Sequence, residues 1–317
     1  VNARIDAAEF GAAAADDQLT AVVQDIKLGV AEHYVGVLRA ERAVAVANSY
    51  VASLRTHTEN ARNRDEFGDV PQNDYLAGSV SLAYAVQRLL QATNHLEYAR
   101  AAYTRFLGRP LAAPVSLDPE LGMDEFIPAT ATLDDLIDQA RLSRTELRAL
   151  DAQEKALRSQ ADRVRASARP QLSLSGGYVY MENEFLTQDE FWMAGVSFNW
   201  NLFDGGQARK QSSAIERKAA AVGYNRADMA SMVDLQVRRA WNDRSEAESR
   251  LQVAKSAVNQ ASENLRVVRN RYEAGASTNA EVLDAEALRE QSLSNLDNAR
   301  FGVELAKVRL ARAIGAL

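Results

Sequence analysis

Residues 269–284 read RNRYEAGASTNAEVLD, a run in which a helical pattern stops at Gly275 and restarts at Ser277-Thr278-Asn279. Glycine takes the left-handed backbone at low cost, which makes Gly275 a candidate helix C-cap. Ser277 or Thr278 then caps the next helix, with Glu281 as the capping-box partner three residues after Thr278. The same grammar stands at residues 62–68, RNRDEFG, where Arg-Asn-Arg is again followed by a Gly four residues after the second Arg. There Gly68 ends one helix, Pro71 blocks its continuation, and Asn73 or Asp74 is the expected start of the next.

The two stretches belong to a longer duplication. Shifting the sequence by 207 positions aligns Leu28–Gly108 with Leu235–Gly315 without a gap. Identities include Val30/Val237, Arg62/Arg269, Asn63/Asn270, Arg64/Arg271, Gly68/Gly275, Leu76/Leu283, Glu97/Glu304 and Gly108/Gly315. Matched alanines carry little weight in so Ala-rich a chain, whereas Arg-Asn-Arg and two glycines in fixed register do. Each copy is helical. Leu251, Ala254, Val258, Ala261, Leu265, Val268 and Tyr272 recur at alternating spacings of three and four. After the Gly the pattern resumes with Leu296, Ala299, Val303, Ala306, Leu310 and Ala313, and the first copy carries Val44, Ala47, Val51, Leu54, Thr58 and Ala61 in the same frame. Residues 207–273 contain no Pro and a single Gly, which predicts one helix roughly 100 Å long at 1.5 Å per residue. Each copy therefore reads as a long antiparallel helical hairpin with a tight tip. A tip of this kind needs no role beyond turning the chain.

Composition narrows the function. The chain has 317 residues, six Pro, sixteen Gly, 7% aromatics and 25% charged residues at a net charge of −6, so no nucleic-acid footprint is indicated. The absence of Cys excludes disulfides, thiolate catalysis and Cys-based metal sites. Three histidines, His33, His57 and His95, show no metal-ligand spacing. There is no phosphate-binding Gly loop and no GxSxG elbow, so no catalytic, cofactor-binding or metal residues are assigned and no enzyme is expected. No apolar run reaches the 18 residues of a membrane-spanning helix, a criterion that leaves a membrane barrel open.

Between the copies lies the Pro-rich connector RPLAAPVSLDPELGMDEFIP, then a helical region over 132–168 in two pieces, with Ser143 and Glu146 as the capping box expected to restart it. After Arg169-Pro170 the period changes to two. QLSLSGGYVY places Leu172, Leu174, Gly176, Tyr178 and Tyr180 on one face, and FWMAGVSFNWNL places Trp192, Ala194, Val196, Phe198, Trp200 and Leu202 on one face. Each alternation covers about ten residues, the length of a tilted membrane strand, with Trp and Tyr near the ends. A soluble hairpin covering a core would alternate in the same way. The helices, however, are committed to their own heptad seams, and lipid is the simplest partner left for Trp192, Val196, Phe198 and Trp200.

Tandem helical hairpins joined by such a strand pair resemble the TolC-like outer-membrane efflux proteins. ARPQLSLSGGY is similar to that family's helix-to-strand passage, WNLFDGGQAR to its strand exit, and residues 269–315 to its C-terminal helical hairpin. The resemblance implies a mainly α chain with a small β part: helical hairpins in tandem duplication forming an α-barrel, and a β-hairpin contributing to a trimeric β-barrel. The corresponding segments are 1–108, the first-repeat hairpin; 109–132, an irregular connector in the equatorial region; 133–169, helices leading to the barrel; 170–203, the membrane β-hairpin; and 204–317, the second-repeat hairpin. Because the family carries one β-hairpin per repeat and this sequence contains one, a preceding helix, β-hairpin and signal peptide are expected upstream.

The resemblance further implies a homotrimer in outer-membrane lipid with a long periplasmic extension, working with a periplasmic adaptor protein and an inner-membrane pump. It would export small molecules or proteins passively. Asp74, Glu281 and Asp284 match acidic positions that ring the family's entrance. Arg64, Phe67, Gly68, Arg271, Tyr272 and Gly275 fall on tips that would meet the adaptor, with Arg64 and Arg271 bonding either adaptor groups or helix-end carbonyls. Ser277 stands where some members carry a gating Arg. The alternative is a periplasmic coiled-coil scaffold without channel activity.

Overall fold

A computed structural model describes residues 2–118, 131–182 and 190–317. The connector beyond residue 118 up to residue 130, and positions 183–189 between the strands, lie outside the described residues. Six helices and two strands follow in the order α1 (Asn2–Glu66), α2 (Gln72–Phe106), α3 (Leu133–Ser143), α4 (Thr145–Ala166), β1 (Gln171–Tyr180), β2 (Glu190–Asn199), α5 (Gln207–Glu273) and α6 (Asn279–Ala313). The long helix expected over 207–273 is α5. None of the described helices is long and apolar enough to cross a membrane.

The chain divides into two compact units: Val1–Ala21 with Arg144–Met232, and Val22–Ser143 with Val233–Leu317. α1 and α5 each contribute to both. In the first unit the helices meet through small side chains: Ala14, Ala149, Ala152, Ala161, Ala208 and Ala219 are buried. Ser212 donates from Oγ to the Ala161 carbonyl at 3.0 Å, and Arg148 pairs with Asp17 at 2.6 Å. Small residues let the helix backbones approach closely, which an Ala-rich seam is suited to do.

The second unit holds both repeated hairpins. The heptad residues supply its core: Ala47, Val51, Leu54 and Ala61 of α1, Ala254, Ala261, Leu265 and Val268 of α5, and Ala299, Val303, Ala306 and Leu310 of α6 are all buried. Leu136, Ile137 and Ala140 of α3 are buried as well. At Gly29 an added Cβ would lie 2.4 Å from Cζ of Phe106, so the ring of α2 rests on α1 only because that position has no side chain.

Four turns end the hairpin helices in one geometry. Gly68, Gly108, Gly275 and Gly315 all have positive φ, between 68° and 79°. In each, the Gly N–H and the next N–H bond back into the last helical turn, as Gly275 to the Tyr272 carbonyl at 3.0 Å and Ala276 to the Arg271 carbonyl at 2.7 Å. This double bond pattern satisfies helix-end carbonyls and needs a left-handed residue, which explains why the duplication retains these glycines.

Three local expectations are corrected. α2 begins at Gln72 with Pro71 as its N-cap (φ −67°, ψ 143°), ahead of Asn73 and Asp74, because the proline ring presets the cap conformation. Ser143 does not cap α4; its hydroxyl donates to the carbonyl of Gln139 at 2.8 Å, and Arg144 holds the cap position with no side-chain cap bond. The capping box falls one helix earlier, where Asp135 N–H donates to Thr132 Oγ1 at 3.3 Å and Thr132 N–H to Asp135 Oδ2 at 3.0 Å. The third concerns Trp200 and Leu202, which lie past the end of β2. Asn199 pairs with Gln171, and before Gln171 comes Pro170, which has no N–H to extend the ladder.

Candidate functional site

The strand pair is antiparallel and its register decides the chemistry of its faces. Leu172 lies opposite Phe198, Leu174 opposite Val196, Gly176 opposite Ala194 and Tyr178 opposite Trp192. Period two then puts all eight on one face. Trp192 is 82% exposed, and Leu172, Leu174, Val196 and Phe198 are exposed with it. The Tyr178 and Trp192 rings sit 5.3 Å apart, a cross-strand aromatic pair at one end of the face. The reverse face starts polar: Ser173 and Ser197 share a hydrogen bond at 2.9 Å, and Ser175 donates to the Gly195 carbonyl at 3.3 Å. It does not stay polar, since Gly177/Met193 and Val179/Phe191 occupy its other end. At the strand exit, Asp204 accepts from the N–H groups of Gly206 and Ala208, both at 2.9 Å, and so starts α5 directly after two left-handed glycines.

Within the second unit, the two hairpin tips are joined by a polar network in which Tyr272 is central. It is 7% exposed and donates from its hydroxyl to Asp74 Oδ2 at 3.1 Å. The Arg64 guanidinium lies 5.3 Å from the Tyr272 ring centroid and donates to the Tyr272 carbonyl at 3.3 Å. Burial, then the hydrogen bond and negative charge of Asp74, push the Tyr272 phenol up to about 12, against the opposing pull of Arg64. Below it, Asn279 donates from Nδ2 to the Asp74 carbonyl at 3.0 Å, which turns its Oδ1 to His57 Nε2 at 2.6 Å. The network assigns the His57 proton to Nε2, since Oδ1 can only accept. Four helices, α1, α2, α5 and α6, thus converge on neighbouring side chains.

The expected tip and entrance residues separate into groups. Phe67 is 84% exposed, and Gly68 and Gly275 are exposed beside it. Arg271 is exposed and donates to the Ala276 carbonyl at 3.0 Å, so both tip arginines bond backbone carbonyls. Tyr272 is internal and presents little surface to a partner. Asp74 is half-buried and engaged by Tyr272, whereas Glu281 and Asp284 are exposed on α6. Thr278 caps α6, accepting from Glu281 N–H at 3.3 Å, and Ser277 donates to Glu281 Oε2 at 2.7 Å. The Ser277 bond above all, with the Thr278 hydroxyl and N–H and the charge of Arg271, holds the Glu281 carboxyl below the usual carboxylate range.

Sequence reasoning missed three residues deeper along the same helices. Glu286 of α6 is buried and contacts Arg269 of α5 and Ser53 of α1. The only sequence signal was Arg269 as the first residue of the repeated Arg-Asn-Arg. Among the described residues no group of three metal-ligating side chains is present.

A duplicated helical-hairpin chain with an amphipathic, lipid-compatible strand pair defines a class of membrane duct proteins. The sequence profile of the outer membrane efflux protein family matches residues 136–316, more than half of the chain, and the chain belongs to that family. It is 25% identical over 322 residues to the outer membrane protein TolC of Vibrio cholerae, covering 99% of this chain and 73% of that one. To the alkaline protease secretion protein AprF of Pseudomonas aeruginosa it is 23% identical over 312 residues, covering 95% of this chain and 64% of that one. Its fold matches the structure of the outer membrane protein VceC of Vibrio cholerae at a TM-score of 0.80 and 19% identity, over 99% of this chain and 75% of that one. The protein is accordingly an outer-membrane efflux channel of TolC-like fold, in a family of channel proteins.

Proposed function

We propose that this chain is one third of a homotrimeric exit duct that takes cargo from a periplasmic adaptor and an inner-membrane pump and releases it outside the cell. The observation that carries the reading is the strand pair, whose matched register sets Leu172, Leu174, Tyr178, Trp192, Val196 and Phe198 on one exposed face. Among the described residues the sheet has two strands and two open edges, and hydrocarbon tolerates neither, so the pair needs further strands, of this chain or of other copies, to close a barrel.

The helices support the same assembly. α6 lies against α1 through Ser53–Glu286 and Arg42–Asp297. Shifted by 207 positions these pairs become Gln260 with Ser79 and Ser249 with Leu90, positions that would bring α5 of one copy to α2 of another. Leu76, Val80, Leu90 and Tyr98 form an exposed stripe on α2, and Val253, Gln260 and Val267 one on α5. The stripe of one copy therefore faces α5 of the next, repeating the internal contact around a ring. In that ring Glu281 and Asp284, one helical turn apart on α6, form acidic collars at the entrance that repel anions. Phe67, Gly68, Arg271 and Gly275 meet the adaptor. The duct is passive, with energy and cargo selection residing in the pump.

Light scattering on the full-length protein extracted from outer membranes tests the proposal. A trimer recovered only with detergent is the expected result. A soluble monomer absent from membranes would replace the duct with a scaffold.

A further inference from the structure

The contact between α1 and α6 is laddered with charge. Asp25 pairs with Arg312 at 2.8 Å, Glu32 with Arg309 at 2.8 Å and Arg42 with Asp297 at 3.4 Å. Between these rungs Arg39 of α1 lies over Gly302 of α6, where an added Cβ would be 3.9 Å from the Arg39 Nη2. The long side chain fits because the facing position has none.

Shifted by 207 positions, the ladder falls on α5 of one copy and α2 of another, and its charge pairs vanish. Asp25 and Arg312 become Met232 and Arg105, Glu32 and Arg309 become Arg239 and Ala102, and Arg42 and Asp297 become Ser249 and Leu90. One rung gains what the others lose: Arg39 becomes Glu246 and Gly302 becomes His95. The exchange conserves reach, since a medium side chain on each helix replaces a long one opposite glycine. His95 is exposed and, among the described residues, has no hydrogen-bond or ion-pair partner. Glu246 is 67% exposed and engages Arg250 on its own helix through Oε1, which leaves Oε2 for a second donor.

We propose that His95 of one copy donates to Glu246 of the next, and that this pair sets the register in which α2 and α5 of neighbouring copies meet. The proposal rests on the duct reading. Leu76 and Leu90 are two heptads apart on α2, as are Val253 and Val267 on α5, and apolar contacts at that spacing survive a one-heptad slip nearly unchanged. Such a slip moves one helix by roughly 10 Å along the other, which no hydrogen bond tolerates. It would set His95 against Val253 or Arg239, and neither side chain can accept a hydrogen bond. In the unslipped register Gln260 of one copy also meets Ser79 of the next. The Ser79 hydroxyl donates to the Tyr75 carbonyl at 2.9 Å and keeps its lone pairs for the exposed Gln260 amide. A polar residue in an otherwise apolar seam specifies register in coiled coils, and these two rungs do so between copies.

The test treats full-length protein in isolated outer membranes with a short bismaleimide. This sequence has no cysteine, and the single variants His95→Cys and Glu246→Cys serve as controls. His95→Cys/Glu246→Cys should run as linked dimer and trimer on a denaturing gel. It should link about tenfold faster than the displaced pair His95→Cys/Val253→Cys, because proximity sets the effective concentration. Equal linkage of the two pairs, or linkage within single chains alone, would overturn the register in protein that light scattering shows to be trimeric. Monomers by light scattering would instead overturn the duct reading, and the pair with it. His95→Ala, Glu246→Ala and the two together test the bond itself. Each single change should speed dissociation of the detergent-held trimer about fivefold, the upper end for an exposed pair, and the double change no further. Additive losses would overturn the bond.

Discussion

Replacing Tyr272 with Phe removes one hydroxyl and nothing else from the tip. The ring keeps its place 5.5 Å from His57 and under Arg64, so the variant isolates the bond to Asp74. A hydrogen bond to a charged acceptor contributes roughly 1.5–3 kcal/mol when both partners are desolvated. Tyr272 is buried but Asp74 is half-buried and rehydrates when the phenol is gone, which puts the loss near the lower end, about 1.4 kcal/mol, or about tenfold in local opening. Amide hydrogen exchange on the full-length protein reads this directly. Protection over residues 274–281 should fall about tenfold in the variant, while residues 303–313, far along α6, stay unchanged. Wild type carries a second signature. Because the folded phenol is raised from 10.0 to about 12, the stability it contributes is complete below pH 10 and is lost as pH climbs toward 12. The Phe variant should lack that alkaline loosening. Equal protection in the two proteins at neutral pH would refute the claim that this bond ties the tips.

Three further outcomes follow from other parts of the molecule. Val196→Arg together with Phe198→Arg should abolish outer-membrane insertion, since each Arg on a lipid face costs about 2–4 kcal/mol near the bilayer midplane; normal membrane fractionation of that variant would sink the lipid-facing assignment. Gly29→Ala pushes the tip of the Phe106 ring, which is 37% exposed, off α1, while Ala gains roughly 1 kcal/mol over Gly in a helix, so the melting temperature should hold within a few degrees as the ring's NMR environment changes; an unchanged ring environment would refute the contact. Thr278→Ala removes the α6 cap at a cost of about 1 kcal/mol. Glu281 adds a pH dependence to the same turn: its carboxyl is held below 4.5, so its contribution is present above that pH and fades as pH falls through the depressed value. In the Thr278 variant this acid sensitivity of tip exchange should shrink, and an unchanged profile would count against the capping box.

The features legible in the sequence are those whose physics is local or periodic. Heptad spacing marked the buried faces of α1, α5 and α6, because which side of a helix is apolar is set within a few turns. The tip glycines were readable because a left-handed backbone leaves few choices of residue. Alternation marked the strands, though where β2 stops was decided by Pro170, just before the opposite strand begins. The misplaced cap is a local competition: a Ser-x-x-Glu pattern at 143–146 is a cap only if the hydroxyl is free, and Ser143 bonds the Gln139 carbonyl one turn back in its own helix.

The polar interior of the tips was out of reach. His57 meets Asn279 across 222 positions, Tyr272 meets Asp74 across 198, and Ser53 meets Glu286 across 233. No spacing rule connects residues so far apart. By itself the sequence determined a duplicated, long-helix chain with one lipid-compatible strand pair, because burial periodicity and turn chemistry act over a few residues. Only the tertiary structure decided which charges are bound inside the tip and which face outward, because that depends on the register in which four helices meet.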